Sequence, residues 1–457
     1  MNQYKVSINL LGAGVKYFLS ISLCLTLAII GVYIFSFSIP FYFYAAFIAF
    51  LLIMLLFFIQ PFYAFITLLF LRPLLDPLSE YKIAASVNLL ALFSLLFIGF
   101  LILILFNDQT KSWKPCISGY FYPYLLVSVF SCANLENYFD GLIFFTKLCS
   151  LLSIYLLAYH LVNNKHDGYI IFLTVALSSI IPIGYGMFQH FTDGGIQQGQ
   201  TIETLRLNST FVLSNPYGFF LCVVILVFIY LLFSKKGEKL FKLFSYGMLC
   251  LAFVSLLLTY TRTAWFSLGV GLIIYAVKEK KLRIYLLLLG ILGAAILHQE
   301  IIERISDLFT PRRYGTNSWE FRINITRQLL ENAFPKHYFL GFGIGSSEEV
   351  AAKYTQYSLP PHNDVIRVII ETGVLGLIFY STFFFKNFTY YINKIRKYPE
   401  RSYNLFMLVL LSVFIIISCG QNLFFFITTT GYLCCFLGVT QKLNDIDDIN
   451  EKNHITV

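Results

Sequence analysis

The residues with the clearest capacity for chemistry lie in Pro361-His362-Asn363-Asp364, directly before a long apolar run. Histidine has an ordinary pKa of about 6.5, so His362 can accept a proton at neutral pH. Asn363 or Asp364 can cap the helix predicted to follow, and the free N–H groups at its start favour a nearby anion. The sequence therefore predicts His362 as a general base beside an anionic group. The alternative is a histidine that only satisfies loop carbonyl groups.

Glu371 is the next ionisable residue of interest, about 10 Å farther along the same predicted helix. Arg367 stands one turn earlier, so the two side chains can pair on one face. Pairing of this kind competes with a direct role for Glu371 at the site. Gly373 and Gly376 predict a close approach by another helix.

Between residues 191 and 363, arginine rather than lysine dominates the predicted outer segments. These arginines are Arg206, Arg262, Arg304, Arg312, Arg313, Arg322 and Arg327. A guanidinium group keeps its charge and matches phosphate oxygens bidentately, so the pattern predicts binding of a phosphate or diphosphate. Arg206, Arg262 and Arg322 are the predicted diphosphate ligands. Pairing with loop carboxylates such as Glu320 and Glu331 is the alternative.

Four further residues are predicted to support this site: Asn363, Glu371, Tyr260 and Arg327.

The elements that must position these residues are transmembrane helices. The chain has 457 residues, of which 58% are hydrophobic and 12% charged, and its mean hydropathy is +0.73. Apolar runs of about 18 or more residues recur, without the alternation of a β-barrel. We therefore predict an all-α polytopic membrane protein with about 12–14 transmembrane helices and one long extracytoplasmic loop.

The predicted organisation has four parts: a helical bundle at 1–298, an extracytoplasmic loop subdomain at 299–363, C-terminal transmembrane helices at 364–440, and a cytosolic tail at 441–457. Lysine-rich loops near 235–242, 278–283 and 386–401 fall on one side, which the positive-inside rule makes cytosolic. Spans are predicted near 17–37, where the first run is retained, and near 284–298, among others.

The turn Thr261-Arg262-Thr263 lies between two predicted spans with almost no loop, so Arg262 must sit at the membrane surface. A cation this close to lipid is costly unless a partner or an anionic ligand compensates it. The alternative is an interfacial arginine flanked by Tyr260 and Trp265 as aromatic-belt anchors.

Several classes of site are disfavoured. The net charge of +9 reflects the basic loops and does not indicate nucleic acid. The nine cysteines lie mostly in apolar runs and predict neither a disulfide nor a zinc site. The predicted outer segments contain no Asp-x-Asp, so no catalytic metal and no cofactor are predicted.

Four patterns together resemble the O-antigen ligase / polysaccharide polymerase superfamily. They are Thr261-Arg262-Thr263-Ala264-Trp265; Trp319-Glu320-x-Arg322 followed by Gly341-Phe342-Gly343-Ile344-Gly345; His362-Asn363 followed by Glu371-x-Gly373-x-x-Gly376; and Arg206-x-Asn208-Ser209-Thr210-Phe211 with Asn215-Pro216. Ser209 and Tyr217 depart from the glycine and asparagine usual in the fourth pattern. The order and spacing of the motifs carry the resemblance, which covers about 200–380.

The resemblance implies a GT-C-like architecture and a metal-independent, inverting glycosyltransferase in the cytoplasmic membrane, with its active site on the extracytoplasmic side. It implies transfer of a glycan from an undecaprenyl-diphosphate carrier to a hydroxyl on a glycan or lipid-linked acceptor. Membrane lipids and other polysaccharide assembly proteins would be its partners. In this interpretation His362 is the base, and Arg206, Arg262 and Arg322 bind the diphosphate.

Three other functions remain open. A composition rich in Phe, Ile, Lys and Asn favours a surface polysaccharide polymerase over an O-antigen ligase that attaches glycan to lipid A-core. A transporter or flippase for the same lipids would place charges mid-bilayer on broken helices. A non-catalytic partner of a biosynthesis complex would tolerate replacement of His362.

Overall fold

The computed structural model describes residues 39–80, 82–84, 87–107, 120–192, 194–196, 205–233, 239–279, 283, 318–356, 359 and 361–455. The predicted spans near 17–37 and 284–298 lie outside the described residues. The loop residues 299–317, with Arg304, Arg312 and Arg313, lie outside them as well.

Helices make up nearly all of the regular structure described. They are α1 Ile39–Ile59, α2 Pro61–Leu71, α3 Leu89–Asn107, α4 Tyr122–Ser131, α5 Tyr138–Leu161, α6 Lys165–Ser178, α7 Ile180–Phe191, α8 Ser214–Phe233, α9 Lys239–Leu258, α10 Arg262–Lys278, α11 Ser318–Gln328, α12 Ser347–Tyr354, α13 Asp364–Lys397, α14 Ser402–Gly420 and α15 Ile427–Ile455. A short antiparallel hairpin joins β1 Lys82–Ala84 to β2 Val87–Asn88. The predicted all-α polytopic membrane class is confirmed.

Six stretches of the described chain are long and apolar enough to cross a membrane, and three shorter apolar helices accompany them. The six are α5, α6 with α7, α8, α9, α13 and α14. A helix satisfies its own backbone groups, so it is the conformation that apolar runs adopt in lipid. α8 is the centre of the bundle, because 83% of its most apolar window is buried.

Side-chain packing joins the helices on which the candidate site depends. α10 packs against α14, α13 packs against α14, and α5 packs against α15. Aromatic residues fill much of the interior, and Phe172 contacts Tyr230, Phe406 and Phe436. These contacts hold the ends of α10, α13 and α14 next to one another.

The described part of the long loop is a helical cap, which we define as residues 318–356. Its core contains Ile325, Leu329 and Val350, and it includes Ile370 of α13, so the cap packs on the bundle. Within the cap, α11 is followed by a π-helical turn at Leu329–Ala333.

Backbone hydrogen bonds join the cap to α13 at a feature that we call the glycine clasp, formed by residues 338–345 of the cap and 370–375 of α13. Gly341, Gly343 and Gly345 all have positive φ, a conformation that glycine adopts readily. The N–H groups of Phe342 and Gly343 donate to the carbonyls of Ile370 and Glu371 at 2.9 Å.

The clasp meets a kink in α13. Gly373 has φ 66° and interrupts the helix, and the freed N–H of Val374 donates to the Tyr338 carbonyl at 2.9 Å. A Cβ at Gly373 would lie 2.3 Å from the Phe339 carbonyl oxygen. The close approach predicted at this glycine is therefore made by the cap, not by another helix.

The C-terminal segment is helical rather than extended. α15 continues through the region predicted as a tail, and Arg401 binds it with an ion pair to Asp448 at 2.7 Å. The cytosolic location of this segment stays a prediction.

Candidate functional site

His362 lies immediately before α13, where Asn363 caps the helix as predicted. The Asn363 Oδ1 accepts hydrogen bonds from the N–H groups of Val365 at 2.8 Å and Ile366 at 3.2 Å. Its Nδ2 donates to the Cys419 carbonyl at 2.9 Å, and its own N–H donates to Asn422 Oδ1 at 3.0 Å. Asn363 thus fixes its neighbour His362 against the C-terminal end of α14.

The imidazole of His362 is mostly buried and keeps a neutral form. Burial lowers the pKa of His362 to about 4, and the positive charge of Arg322 lowers it as well. A hydrogen bond with Gln421 acts in the opposite direction. At neutral pH the ring therefore carries a lone pair that can accept a proton.

Arg322 reaches the same end of α14 from the cap. Its Nη1 donates to the Gly420 carbonyl at 3.1 Å, and its charge acts on His362. The last carbonyls of a helix carry partial negative charge, so they hold a guanidinium group without neutralising it. The cap therefore contributes a cation beside the predicted base.

Arg206 braces the tight turn between α9 and α10. Its Nε donates to the Thr259 carbonyl at 2.9 Å, and its Nη2 donates to Thr261 Oγ1 at 3.1 Å and to Asn215 Oδ1 at 2.9 Å. Tyr260, in the middle of this turn, has φ 50°. A bulky residue rarely adopts that conformation, and the hydrogen bonds of Arg206 hold the turn in it.

Arg262 follows that turn as the first residue of α10 and is half-buried. Its neighbour Thr263 contacts the end of α14, since a Cβ at Gly420 would lie 3.2 Å from Thr263 Cγ2. Gly420 is also the acceptor for Arg322. Gly420 is therefore contacted both by Thr263 at the start of α10 and by Arg322 of the cap.

These contacts bring together the four main residues predicted from the sequence. We call the group the cap site and define it by Arg206, Arg262, Arg322 and His362. Arg206 is joined to the 259–263 turn, and that turn, Arg322 and His362 are joined to residues 419–422. Arg322 and a neutral His362 lie at the end of α14, and Arg206 and Arg262 lie on the adjoining turn. A group of this composition can bind an anion and accept a proton.

Glu371 does not join the cap site. Its carboxylate pairs with Arg367 at 2.8 Å, and both side chains are buried, as predicted for residues one helical turn apart. The Arg367 guanidinium lies 4.7 Å from the ring centroid of Phe144. Glu371 therefore anchors α13 against α5, two turns beyond His362.

Arg327 and Tyr260 each contact a neighbouring side chain other than His362. Arg327 forms an exposed ion pair with Glu331 at 2.8 Å on the cap. The Tyr260 ring lies 6.4 Å from that of Trp265, the arrangement expected of interfacial aromatic anchors. Asn363 is thus the supporting residue that directly positions the cap site.

No group of three or more His, Cys, Asp or Glu that could hold a metal ion occurs among the residues whose placement is described.

Sequence reasoning missed a second polar region, which we call the Arg72 cavity. This cavity has a volume of about 510 Å³ and is lined in part by Arg72, Asp76, Lys147, Val212 and Pro216. The available signal was a charge inside an apolar run, at Phe70-Leu71-Arg72-Pro73 and again at Lys147 in α5.

The fold and the cap site define a multi-pass membrane protein that holds a neutral imidazole and guanidinium groups where a cap meets the bundle. The family model described as O-antigen ligase matches residues 247–381, a stretch that contains Arg262, Arg322 and His362. The match confirms the predicted resemblance to the O-antigen ligase / polysaccharide polymerase superfamily. No curated protein matches the chain. The family indicates glycosyltransferase-like enzymes that act on lipid-linked glycans.

Proposed function

We propose that this protein is a metal-independent, inverting glycosyltransferase that polymerises glycan repeat units at the outer face of the cytoplasmic membrane. The donor is a glycan on undecaprenyl diphosphate, and the acceptor is a sugar hydroxyl. The observation that carries the proposal is the meeting of His362 and Arg322 with the 259–263 turn at the end of α14.

His362 acts as the general base. A sugar hydroxyl is a weak nucleophile, and the neutral imidazole takes its proton as the oxygen attacks the anomeric carbon. The bond between that carbon and the diphosphate oxygen breaks, and the diphosphate leaves with the electron pair. Attack from the face opposite the leaving group inverts the configuration.

The arginines stabilise the leaving group. Negative charge grows on the diphosphate in the transition state, and guanidinium groups already held in place stabilise it without reorganisation. Arg206 and Arg322 are positioned by backbone carbonyls of Thr259 and Gly420. They supply the charge that a metal ion supplies in other transferases.

Donor binding also tunes the base. The charge of Arg322 contributes to the low pKa of His362. An anionic diphosphate beside Arg322 offsets that charge and raises the proton affinity of the imidazole. His362 is therefore a stronger base once the donor is bound.

Replacement of His362 by alanine tests the mechanism. In full-length protein reconstituted with a purified undecaprenyl-diphosphate-linked repeat unit, His362→Ala is expected to slow glycan transfer by about 10²- to 10⁴-fold, because general-base catalysis is lost. The measurement is the initial rate of product formation, with the thermal unfolding midpoint as a check on folding.

His166→Ala is the matched control, since His166 is exposed at the start of α6 and should transfer at the wild-type rate. A folded His362→Ala protein that transfers at the wild-type rate would remove His362 from the mechanism. With lipid A-core added, the same assay separates a polymerase, which gives a ladder of lengthening glycans, from a ligase, which gives one transfer onto lipid A-core.

A further inference from the structure

The Arg72 cavity contains a buried cation that makes no hydrogen bond within the described structure. Arg72 is 4% exposed, and its Nε, Nη1 and Nη2 atoms all lack partners. A buried guanidinium without hydrogen bonds is costly, because desolvation is not repaid. An anion entering the cavity would supply the missing acceptors.

The charges around the cavity favour an anion. Arg72 and Lys147 line it with the single carboxylate of Asp76, and the two cations are close enough to repel each other. Asp76 is already occupied, since it accepts hydrogen bonds from the Val212 N–H at 3.3 Å and from Thr428 Oγ1 at 3.5 Å. Positive charge therefore remains in excess.

Lys147 faces further charges on its other side. With Asp364, Arg367 and Glu371 it lines a smaller neighbouring cavity, and its ammonium group lies 4.4 Å from the Phe144 ring centroid. Arg367 and Glu371 neutralise each other as an ion pair. The Asp364 carboxylate belongs to the smaller cavity, where its Oδ2 accepts hydrogen bonds from the N–H groups of Leu423 and Phe424. Among the residues that line the Arg72 cavity itself, two cations therefore face one carboxylate.

Most of the remaining cavity wall is apolar, apart from Ser79, Ser94 and Thr146, and it continues to the surface of the bundle. Leu95, Phe139 and Leu142 line the cavity and are among the exposed large hydrophobic residues. A site with cations at its inner end and exposed apolar side chains at its mouth fits a phosphate group attached to a lipid chain.

Two segments that line the cavity also carry residues that contact the cap site. Val212 and Pro216 line it, whereas Asn215, between them in sequence, accepts a hydrogen bond from Arg206. Phe426 and Ile427 line it too, a few residues beyond the Gln421 partner of His362. A ligand in the Arg72 cavity would therefore lie beside the reaction centre.

We propose that the Arg72 cavity binds the phosphate end of a second polyprenyl-linked glycan, which is the acceptor in the transfer. The inference rests on the proposed function and extends it: the enzyme holds two lipid-linked substrates at once, one at the cap site and one in the Arg72 cavity. Such an arrangement is the one a polymerase needs.

Lipid stoichiometry tests the proposal. Full-length protein in nanodiscs is titrated with undecaprenyl diphosphate, and bound lipid is counted by native mass spectrometry. Wild type is expected to bind two molecules, Arg72→Gln one, Arg322→Gln one, and the double variant none. Lys147→Gln should weaken the second binding event about 10- to 100-fold, because a charge-assisted contact is lost.

Two kinds of control show whether a lost lipid molecule reflects misfolding or binding of an ordinary membrane lipid. The exposed Arg396 and Lys397 at the end of α13 provide matched variants, R396Q and K397Q, which should bind two molecules. If Arg72→Gln fails to fold, Lys147→Gln provides the test. Phosphatidylglycerol is titrated in parallel, and equal binding of it in the cavity would show a membrane-lipid site and overturn the acceptor assignment.

The outcomes distinguish this inference from the proposed function. One molecule bound by wild type and lost in Arg322→Gln would overturn the second site and leave the cap site standing. If Arg72→Gln and Arg322→Gln each still bind as many molecules as wild type, both the Arg72 cavity and the cap site are overturned as lipid-binding sites. With a labelled donor, Arg72→Gln should raise the KM for a short lipid-linked acceptor about 10- to 100-fold, whereas an unchanged KM contradicts the proposal.

Discussion

At the scale of single residues, His362 shows how burial selects a protonation state. The ring lies between the end of α14 and Arg322, so the charged form loses hydration and meets a like charge. An imidazole that stays neutral through the physiological range can serve as a base over that whole range. This consequence is measurable as a pH profile.

The pH dependence of transfer is expected to follow the lowered pKa of His362. With its pKa at about 4 in the free protein, kcat/KM should stay flat from about pH 7 to about pH 5 and fall below it, as the base becomes protonated. A fall in kcat/KM centred at about pH 6.5, the ordinary pKa of histidine, would contradict the buried environment of His362. The measurement is the initial rate at subsaturating donor.

The free energy of unfolding should also depend on pH through His362, and it should fall as the pH falls. In the unfolded chain His362 binds a proton below about pH 6.5, but in the folded protein only below about pH 4. Between these values the unfolded state holds more protons, so the contribution to stability is present above about pH 6.5 and is lost as the pH falls toward 4. The difference in unfolding midpoint between wild type and His362→Gln, measured from pH 7.5 to 4, should shrink in that direction.

At the scale of elements, the glycine clasp determines where the cap sits. The kink at Gly373 frees backbone groups of α13, and residues 338–343 of the cap pair with them. The cap carries Arg322, and α13 carries His362 at its start. Accurate docking of the clasp therefore sets the distance between the base and one of its cations.

Replacing Gly373 with alanine should loosen the clasp. The residue has φ 66°, and an added Cβ would lie 2.3 Å from the Phe339 carbonyl oxygen, so strain and steric overlap together should cost about 1–3 kcal/mol. Limited proteolysis of the cap and the thermal unfolding midpoint are the measurements. Faster cleavage within 338–356 is expected.

Gly269→Ala is the control for this substitution. Gly269 lies within α10, and nothing lies within 4 Å of an added Cβ. Alanine there should be neutral or stabilise by about 0.5–1 kcal/mol, because the unfolded chain loses conformational freedom. Equal responses of the two variants would show that the clasp does not depend on the conformation of Gly373.

At the scale of the whole molecule, polar contacts fasten the two ends of the bundle. The cap site lies at one end of α14, and Arg401 lies just before the other end. Arg401 is 6% exposed and pairs with Asp448 at 2.7 Å and with Glu451. It ties the C-terminal part of α15 to the start of α14.

Arg401→Gln is expected to lower the free energy of unfolding by about 1–3 kcal/mol. Removing the cation leaves several carboxylates without their partner, and their partial exposure reduces the penalty below that of a fully buried pair. Denaturation in mild detergent measures the change. Glu400→Gln is the control, because Glu400 is exposed and lies 3.9 Å from Arg401, so it should change stability little.

Much of the site could be anticipated from local sequence. The Asn363 cap and the Arg367–Glu371 pair depend on residues within four positions of each other, and such local geometry is set by the helix itself. The turn at Gly341–Gly345 follows from glycine chemistry in the same way. The membrane class follows from composition, because apolar runs of that length have no other stable environment.

Long-range placement could not be anticipated. That Arg322 would donate to Gly420, or that Thr263 would touch the same glycine, depends on how α10, α13 and α14 pack. The Arg72 cavity was missed for the same reason. Arg72 and Lys147 are far apart in sequence, and their common cavity exists only in the folded bundle.

From the sequence alone came a helical membrane protein with a predicted histidine base, predicted arginine ligands and a resemblance to one superfamily, because residue types and local spacing carry that information. Tertiary structure decided which of those residues share a site. His362, Arg322 and the 259–263 turn, which Arg206 contacts, lie at one end of α14, whereas Glu371 and Arg327 pair elsewhere. The physical reason is that burial, hydrogen-bond partners and charge environment arise from contacts between segments distant in the chain, and these contacts set both the pKa of His362 and the unpaired state of Arg72.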